Sequence, residues 1–239
     1  MKEIFNGIYS EARSIYTKNL LPGKKVYGEK LLNIKDTQYR EWDVYRSKYG
    51  AGIVNGIKES IFFNGASVLY LGSAEGTTVS HVSDIVGEKG SIFCVDISEI
   101  AMNKLSKLAE ERTNLFPIIS DAQKTDNYAE YFEEKVDAMF QDISQRNQAE
   151  IFFRNAQFLK KGGLGALALK TKSISQSEKK EIILQEEKNK LEKDFEIVQV
   201  VDLEPFEKEH YLILVKKKWK NERNWERKSL ERSCGQSQK

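Results

Sequence analysis

Residues 67–86, SVLYLGSAEGTTVSHVSDIV, constrain the fold of this chain more than any other stretch. Val68, Leu69, Tyr70 and Leu71 make a short apolar run of the kind that becomes a buried strand. The run breaks at Gly72 into small residues, and a second glycine follows at Gly76. From Thr77 onward Val79, Val82, Ile85 and Val86 take up helical spacing. Strand, glycine loop and helix start in that order bring backbone close to a ligand at the C-terminal edge of a sheet, with free helix N-terminal amides beside it. A tight strand-to-helix turn also needs glycine for structural reasons alone, so the loop by itself does not separate a ligand site from a simple turn.

The chain beyond this unit alternates regularly. A strand is expected over 91–97, a helix over 99–112 and a third strand over 115–119, closed by Ser120-Asp121-Ala122. A fourth strand covers 136–143, followed by a helix over 148–159 that stops at Lys161-Gly162-Gly163, and a fifth strand covers 164–171. A charged helix, read as a solvated face, spans roughly 177–193 before strands near 196–203 and 210–215. Alternation of this kind predicts an α/β fold whose largely parallel sheet is covered on both faces. Only EPFEKE separates the last two strands, which predicts an antiparallel pair closing an open sheet of about seven strands. Ahead of this lie a turn at Pro22-Gly23, a hairpin-like segment over 26–36 and an aromatic, basic stretch over 40–57 with a helix from about Ser47. The expected organisation is a small N-terminal β-containing domain (1–55), a catalytic domain (56–217) and a basic tail (218–239).

Composition narrows the function classes. No apolar run approaches a membrane span and no apolar leader opens the chain, so no membrane partner and a cytoplasmic setting are expected. Cys94 and Cys234 stand far apart, without the spacing of a metal site or a disulfide framework. The net charge of +2 hides an asymmetry: residues 216–239 carry nine Lys/Arg against three Asp/Glu, leaving 29 against 33 elsewhere. A basic tail on a mildly acidic body points to contact with nucleic acid or an acidic partner, or to a merely solvated tail, and the body's slight negative charge predicts that it binds naked RNA poorly.

Acids at strand ends sharpen the reading. Asp96 closes the second strand, Asp121 the third and Asp142 the fourth, and strand ends of a parallel sheet share one edge. A carboxylate at the first of these places commonly accepts hydrogen bonds from ribose hydroxyls, and Ala122 beside Asp121 leaves room for an adenine ring. Gly72 and Gly76 give G-x-x-x-G rather than the G-x-G-x-x-G of a dinucleotide site. A cofactor without a pyrophosphate, S-adenosyl-L-methionine, therefore fits better than a nicotinamide dinucleotide.

Four runs carry a family resemblance: YRSK at 45–48, VLYLGSAEGTTVSHVSDIVG at 68–87, FQDISQRNQAEIF at 140–152 and VVDLEPFEKEH at 200–210. Together they resemble fibrillarin, and more closely its archaeal form, over roughly residues 5–217. The resemblance implies a seven-stranded Rossmann-like S-adenosylmethionine-dependent methyltransferase fold. It implies guide-directed 2′-O-methylation of rRNA and tRNA ribose, as the catalytic subunit of a box C/D ribonucleoprotein. Implied partners are a box C/D guide RNA, a Nop-domain scaffold protein and a kink-turn-binding subunit resembling a ribosomal protein. A subunit that keeps the fold without turnover is the alternative.

The same resemblance places a catalytic set on Lys48, Asp142, Lys170 and His210. A hydroxyl is a poor nucleophile until a neighbouring group takes its proton, and a partly desolvated lysine beside another cation can do so. Lys170 is assigned that role, with Lys48 as the neighbouring cation, Asp142 orienting both and His210 completing the network or contacting the RNA. Implied cofactor contacts are Gly72, Ser73, Ala74, Gly76, Thr77 and Thr78 in the loop and helix start, then Asp96 and Ile97, Asp121 and Ala122, and Asp142, Ile143, Ser144 and Gln145. Glu75, Asp96 and Ser144 depart from the family's usual small residue, Glu and Ala. His81 is read as structural, and Trp42, Tyr45 and Tyr49 as packing between the small domain and the sheet in preference to the alternative, base stacking.

Overall fold

A computed structural model of the protein describes residues 1–219. Five short strands come first: β1 (Lys2–Phe5), β2 (Ile8–Glu11), β3 (Ser14–Lys18), β4 (Leu31–Ile34) and β5 (Thr37–Trp42). They form one antiparallel sheet in the order β1-β2-β3-β5-β4. The hairpin expected over 26–36 lies further along, between β4 and β5. Residues 26–30 are irregular instead, because the Glu29 carboxylate accepts the Val26 and Tyr27 amides that a strand would have paired. A 3₁₀ turn (Val44–Arg46) then leads to helix α1 (Lys48–Val54), whose N-terminus is capped by the Ser47 hydroxyl accepting from the Gly50 amide. Helix α1 sits close on the large sheet because Gly52 faces Leu212; a Cβ there would lie 2.3 Å from a Leu212 methyl.

The rest of the described chain alternates as expected: β6 (Ser67–Leu71), α2 (Thr77–Val86), β7 (Ser91–Asp96), α3 (Glu99–Glu111), β8 (Leu115–Ile119), β9 (Val136–Gln141), α4 (Gln148–Asn155) and β10 (Leu159–Lys170). Then come α5 (Thr171–Ile174), α6 (Lys180–Leu191), β11 (Phe195–Asp202) and β12 (His210–Lys217). The seven-stranded sheet runs β11-β12-β10-β9-β6-β7-β8, with β12 antiparallel to both neighbours and the other pairs parallel. This is the Rossmann-like arrangement expected, closed by the antiparallel hairpin. Lys161-Gly162-Gly163 lies inside β10 instead of ending a helix, and the pairing with β9 slips there, between Leu159 and Leu164. Glycines inside a strand commonly mark such a slip. Apart from Lys218 and Trp219, the basic tail lies outside the described residues.

Period-two alternation builds two apolar layers. Val68, Tyr70, Ala138 and Phe140 face one layer with Val79, Val82 and Leu212, while Leu69, Leu71 and Met139 face the other with Val95 and Leu167. The N-terminal sheet is joined to α2 through buried polar groups. Asp84 accepts from Arg40 at 2.8 Å, Arg112 at 2.7 Å and the Thr17 hydroxyl at 2.8 Å. Thr17 has one proton and gives it to Asp84, so His81 Nδ1–H donates to Thr17 Oγ1 and His81 Nε2 accepts from Tyr27 OH at 2.6 Å. Burial, with Arg40 and Arg112 nearby, pushes the His81 pKa well below 6.5, so the ring is neutral. Trp42 stacks on His81 at 4.7 Å, and Trp42 and Tyr49 are fully buried. Tyr45 is 67% exposed and does not share their packing role.

Candidate functional site

The site begins where β6 ends. Gly72 adopts φ +81°, and a Cβ there would lie 2.2 Å from the Asp142 carbonyl oxygen, so the loop presses against the end of β9. Gly76, also at positive φ, caps α2. Asp96 holds this loop in place: one carboxylate oxygen accepts the Ala74 amide at 2.9 Å and the other the Ser98 amide at 2.9 Å. Asp121 accepts the Gln123 amide at 2.9 Å, and the Asp142 amide donates to the Leu71 carbonyl at 2.9 Å.

A cleft of about 240 Å³ opens at these strand ends. Its walls include Gly72, Asp96, Ile97, Asp121 and Ala122, and the run from Asp142 through Ile143 and Ser144 to Gln145. Ser73, Ala74, Gly76, Thr77 and Thr78 lie outside that lining. Ser73 is buried against Met102, Gly76 and Thr77 start α2, and the Thr78 hydroxyl donates to Ser47 Oγ at 3.0 Å. Val95 and Ser120 also line the cleft, each the residue just before a predicted acid. Carboxylates suited to hydroxyls and to a cation stand beside the apolar Ile97, Ala122 and Ile143, suited to a flat ring. The loop amide of Ala74 is already given to Asp96, and three carboxylates at the cleft would repel a pyrophosphate. The donor set fits S-adenosylmethionine better than a dinucleotide.

Gly72→Ala is expected to weaken S-adenosylmethionine binding at least about tenfold (~1.4 kcal/mol) by calorimetry, because the new methyl must displace the Asp142 backbone. Gly65 is a matched control, with the same φ of +81° and nothing within 4 Å of an added Cβ. Gly65→Ala therefore carries the backbone strain without the clash and keeps cofactor affinity. Equal loss in both variants would mean that strain, and not the close approach, is responsible.

The predicted catalytic set meets the cleft at Asp142, which lines it. Lys48 Nζ donates to Asp142 Oδ2 at 3.0 Å, with both side chains about one-fifth exposed. Lys170 ends β10 in register with His210 at the start of β12. Its backbone is held on both sides by the buried Gln148 amide, which accepts from Lys170 N at 2.9 Å and donates to Lys170 O at 3.0 Å. Its ammonium makes no hydrogen bond or ion pair among the described residues. His210 Nδ1–H donates to the Lys208 carbonyl at 2.7 Å, leaving Nε2 buried with a free lone pair. Burial, with the Lys48 cation adding to it, pushes the His210 pKa below 6.5, so this ring is also neutral. Sequence reasoning did not single out Gln148; its only signal is a polar residue at the start of an otherwise apolar helical face.

Comparison with known proteins gives a consistent family. The fibrillarin family profile matches residues 1–219. The fibrillarin-like rRNA/tRNA 2′-O-methyltransferase of Methanococcus voltae is 43% identical over 221 residues, covering 90% of this chain and 96% of the relative. A solved structure of Aeropyrum pernix fibrillarin in complex with natively bound S-adenosyl-L-methionine aligns with a TM-score of 0.78 at 39% identity, over 84% of this chain and 88% of that one. A fibrillarin/Nop5p complex aligns with a TM-score of 0.82 at 36% identity, over 90% of this chain and all of that one.

Proposed function

This chain belongs to the fibrillarin family, and we propose that it is the S-adenosylmethionine-dependent RNA 2′-O-methyltransferase of a guide-directed box C/D particle. The observation that carries the reading is the double role of Asp142. It lines the cofactor cleft and pairs with Lys48, so one carboxylate links the donor side of the site to the acceptor side.

S-adenosylmethionine, when bound, supplies a methyl group made electrophilic by a sulfonium. The acceptor is a ribose 2′-hydroxyl whose oxygen would bond to that carbon as the carbon–sulfur bond breaks, with neutral S-adenosylhomocysteine leaving and the hydroxyl proton passing to Lys170 Nζ. Lys170 suits this role because no carboxylate competes for its amine and Gln148 fixes its backbone. Asp142 holds the Lys48 ammonium at the strand edge, where it stabilises negative charge developing on the attacking oxygen. The sequence reading made Lys48 a cation neighbouring Lys170 with Asp142 orienting both, and the ion pair of Lys48 with Asp142 supports that orienting role. His210, neutral and pinned to Lys208, packs the network without adding a cation.

The relatives act on rRNA and tRNA, and we assign the same substrates here. The solved complex with Nop5p supports a Nop-domain scaffold as partner. A guide RNA and a kink-turn-binding subunit complete the proposed particle. No helix among the described residues is long and apolar enough to cross a membrane. A cytoplasmic location, where the buried Cys94 stays a free thiol, belongs to the same proposal.

The test is transfer of labelled methyl from S-adenosylmethionine to substrate RNA in the reconstituted particle, omitting one component at a time and mapping the product. The expected result is one modified ribose, dependent on guide and scaffold. Cofactor binding and full assembly without any transfer would favour a non-catalytic subunit.

A further inference from the structure

Two walls of the cofactor cleft follow strands that are not neighbours. Asp121 and Ala122 lie just after β8, the run from Asp142 to Gln145 lies just after β9, and β6 and β7 stand between those strands in the sheet. No ladder hydrogen bond therefore fixes one wall against the other. We propose that Gln123 is a positioning residue that does so, bridging the walls through its side-chain amide and setting the cleft to the width of the cofactor's adenosyl end before the cofactor arrives. The proposal rests on the S-adenosylmethionine reading of the cleft and deepens it.

Three observations carry it. The first is that Gln123 bonds to both walls without lining the cleft itself. Its backbone amide donates to Asp121 Oδ1 at 2.9 Å, and its side-chain Nε2 donates to Gln145 Oε1 at 2.8 Å, 22 positions along the chain. Asp121 and Gln145 both line the cleft. One residue thus orients the carboxylate of the first wall and the amide of the second.

The second is Asn147. Its Nδ2 donates to Gln123 Oε1 at 2.9 Å, so the Gln123 side-chain amide is bonded at both of its polar atoms. An asparagine just before a helix ordinarily turns its side chain onto the first amides of that helix. Asn147 stands at this place before α4 and makes no such bond. The Ala149 amide goes instead to the buried Glu187 carboxylate of α6 at 3.0 Å. The cap that Asn147 would have made is thus partly supplied from elsewhere, and its side chain is given to the bridge.

The third is a division of labour by depth. The Ala122 carbonyl is anchored separately, by Asn155 of α4, whose Nδ2 donates to it at 2.9 Å while its Oδ1 accepts from Tyr128 OH at 2.6 Å. Asn155 and Tyr128 are fully buried, so this attachment belongs to the core. Gln123, Gln145 and Asn147 are only partly buried. Removing hydrogen bonds among such groups leaves no polar atom stranded away from water, so the fold depends little on the bridge. The cofactor depends on it more, because walls held in place beforehand spare the ordering that binding would otherwise have to supply.

The experiment is calorimetric titration of the full chain with S-adenosylmethionine and with 5′-methylthioadenosine, which lacks the amino-acid end. Gln123→Met keeps the length of the side chain and removes both of its hydrogen bonds. It should weaken both ligands by about three- to tenfold, the range for one ordinary hydrogen bond, while the ligand-free melting temperature stays at the wild-type value. Asn147→Ala should weaken them too, and the double variant should lose no more than Gln123→Met alone, because both act through one bridge. In the assembled particle Gln123→Met should raise KM for S-adenosylmethionine and leave kcat unchanged. Wild-type affinity in Gln123→Met would overturn the proposal, and so would losses that simply add in the double variant. A ligand-free melting temperature that falls along with affinity would also overturn it, by making the bridge part of the fold alone. A wild-type protein that binds neither ligand would remove the S-adenosylmethionine reading, and the proposal with it.

Discussion

Lys170→Ala is expected to lower the single-turnover rate of methyl transfer by about 10²- to 10⁴-fold, the range for losing a positioned proton acceptor. Cofactor binding should survive, because Lys170 does not line the cofactor cleft and its backbone contacts to Gln148 do not depend on the side chain. The diagnosis comes from Lys170→Arg, which keeps a cation at the end of β10 but removes the amine: its rate should stay as low as that of Lys170→Ala. Lys48→Arg should differ in kind: it can still pair with Asp142, as Lys48 does at 3.0 Å, so it should keep far more of the rate than Lys48→Ala. Transfer at the wild-type rate by Lys170→Ala would remove Lys170 from the chemistry.

How far the sequence could be read follows from how each region is stabilised. The strands of the large sheet are buried on both faces, so β6, β7 and β9 appear as apolar runs ended by an acid or a glycine, and alternation predicts their parallel pairing. β1, β2 and β4 are four residues each and half exposed, too short and too polar for period two to stand out from background. The glycines near Gly162 misled for a physical reason: a helix stop and a slipped strand both use them. Trp42, Tyr45 and Tyr49 read as one packing cluster, yet the intervening 3₁₀ turn directs Tyr45 outward while its neighbours go in. The acids Asp96, Asp121 and Asp142 were legible because topology brings strand ends together. The Lys48–Asp142 pair spans 94 positions, and no local spacing announces it; the family resemblance put both residues on the list.

The same blindness to distance hid the group on which the fold depends most. Asp84 looks like any helical surface acid, yet its carboxylate is fully buried between Arg40 and Arg112, 44 and 28 positions away. Asp84→Asn is expected to lower unfolding free energy by about 3–5 kcal/mol, the usual loss when one partner of a buried ion pair is removed, because two guanidiniums then share only Glu29 nearby. Urea denaturation followed by circular dichroism measures it. The loss should reach function before the fold fails. Arg40 belongs to β5, which ends at Trp42 and passes through a single 3₁₀ turn to Lys48, so loosening the N-terminal sheet on α2 moves Lys48 relative to Asp142. Methyl transfer by Asp84→Asn should therefore weaken at temperatures where far-ultraviolet dichroism is still native. Replacing all four charges together, as Glu29→Gln, Arg40→Met, Asp84→Leu and Arg112→Met, should destabilise less than the single change, since no buried charge is then left uncompensated. A single-variant loss below about 1 kcal/mol, the value typical of an exposed pair, would mean that water reaches these guanidiniums and that apolar packing, not Asp84, seats the N-terminal sheet.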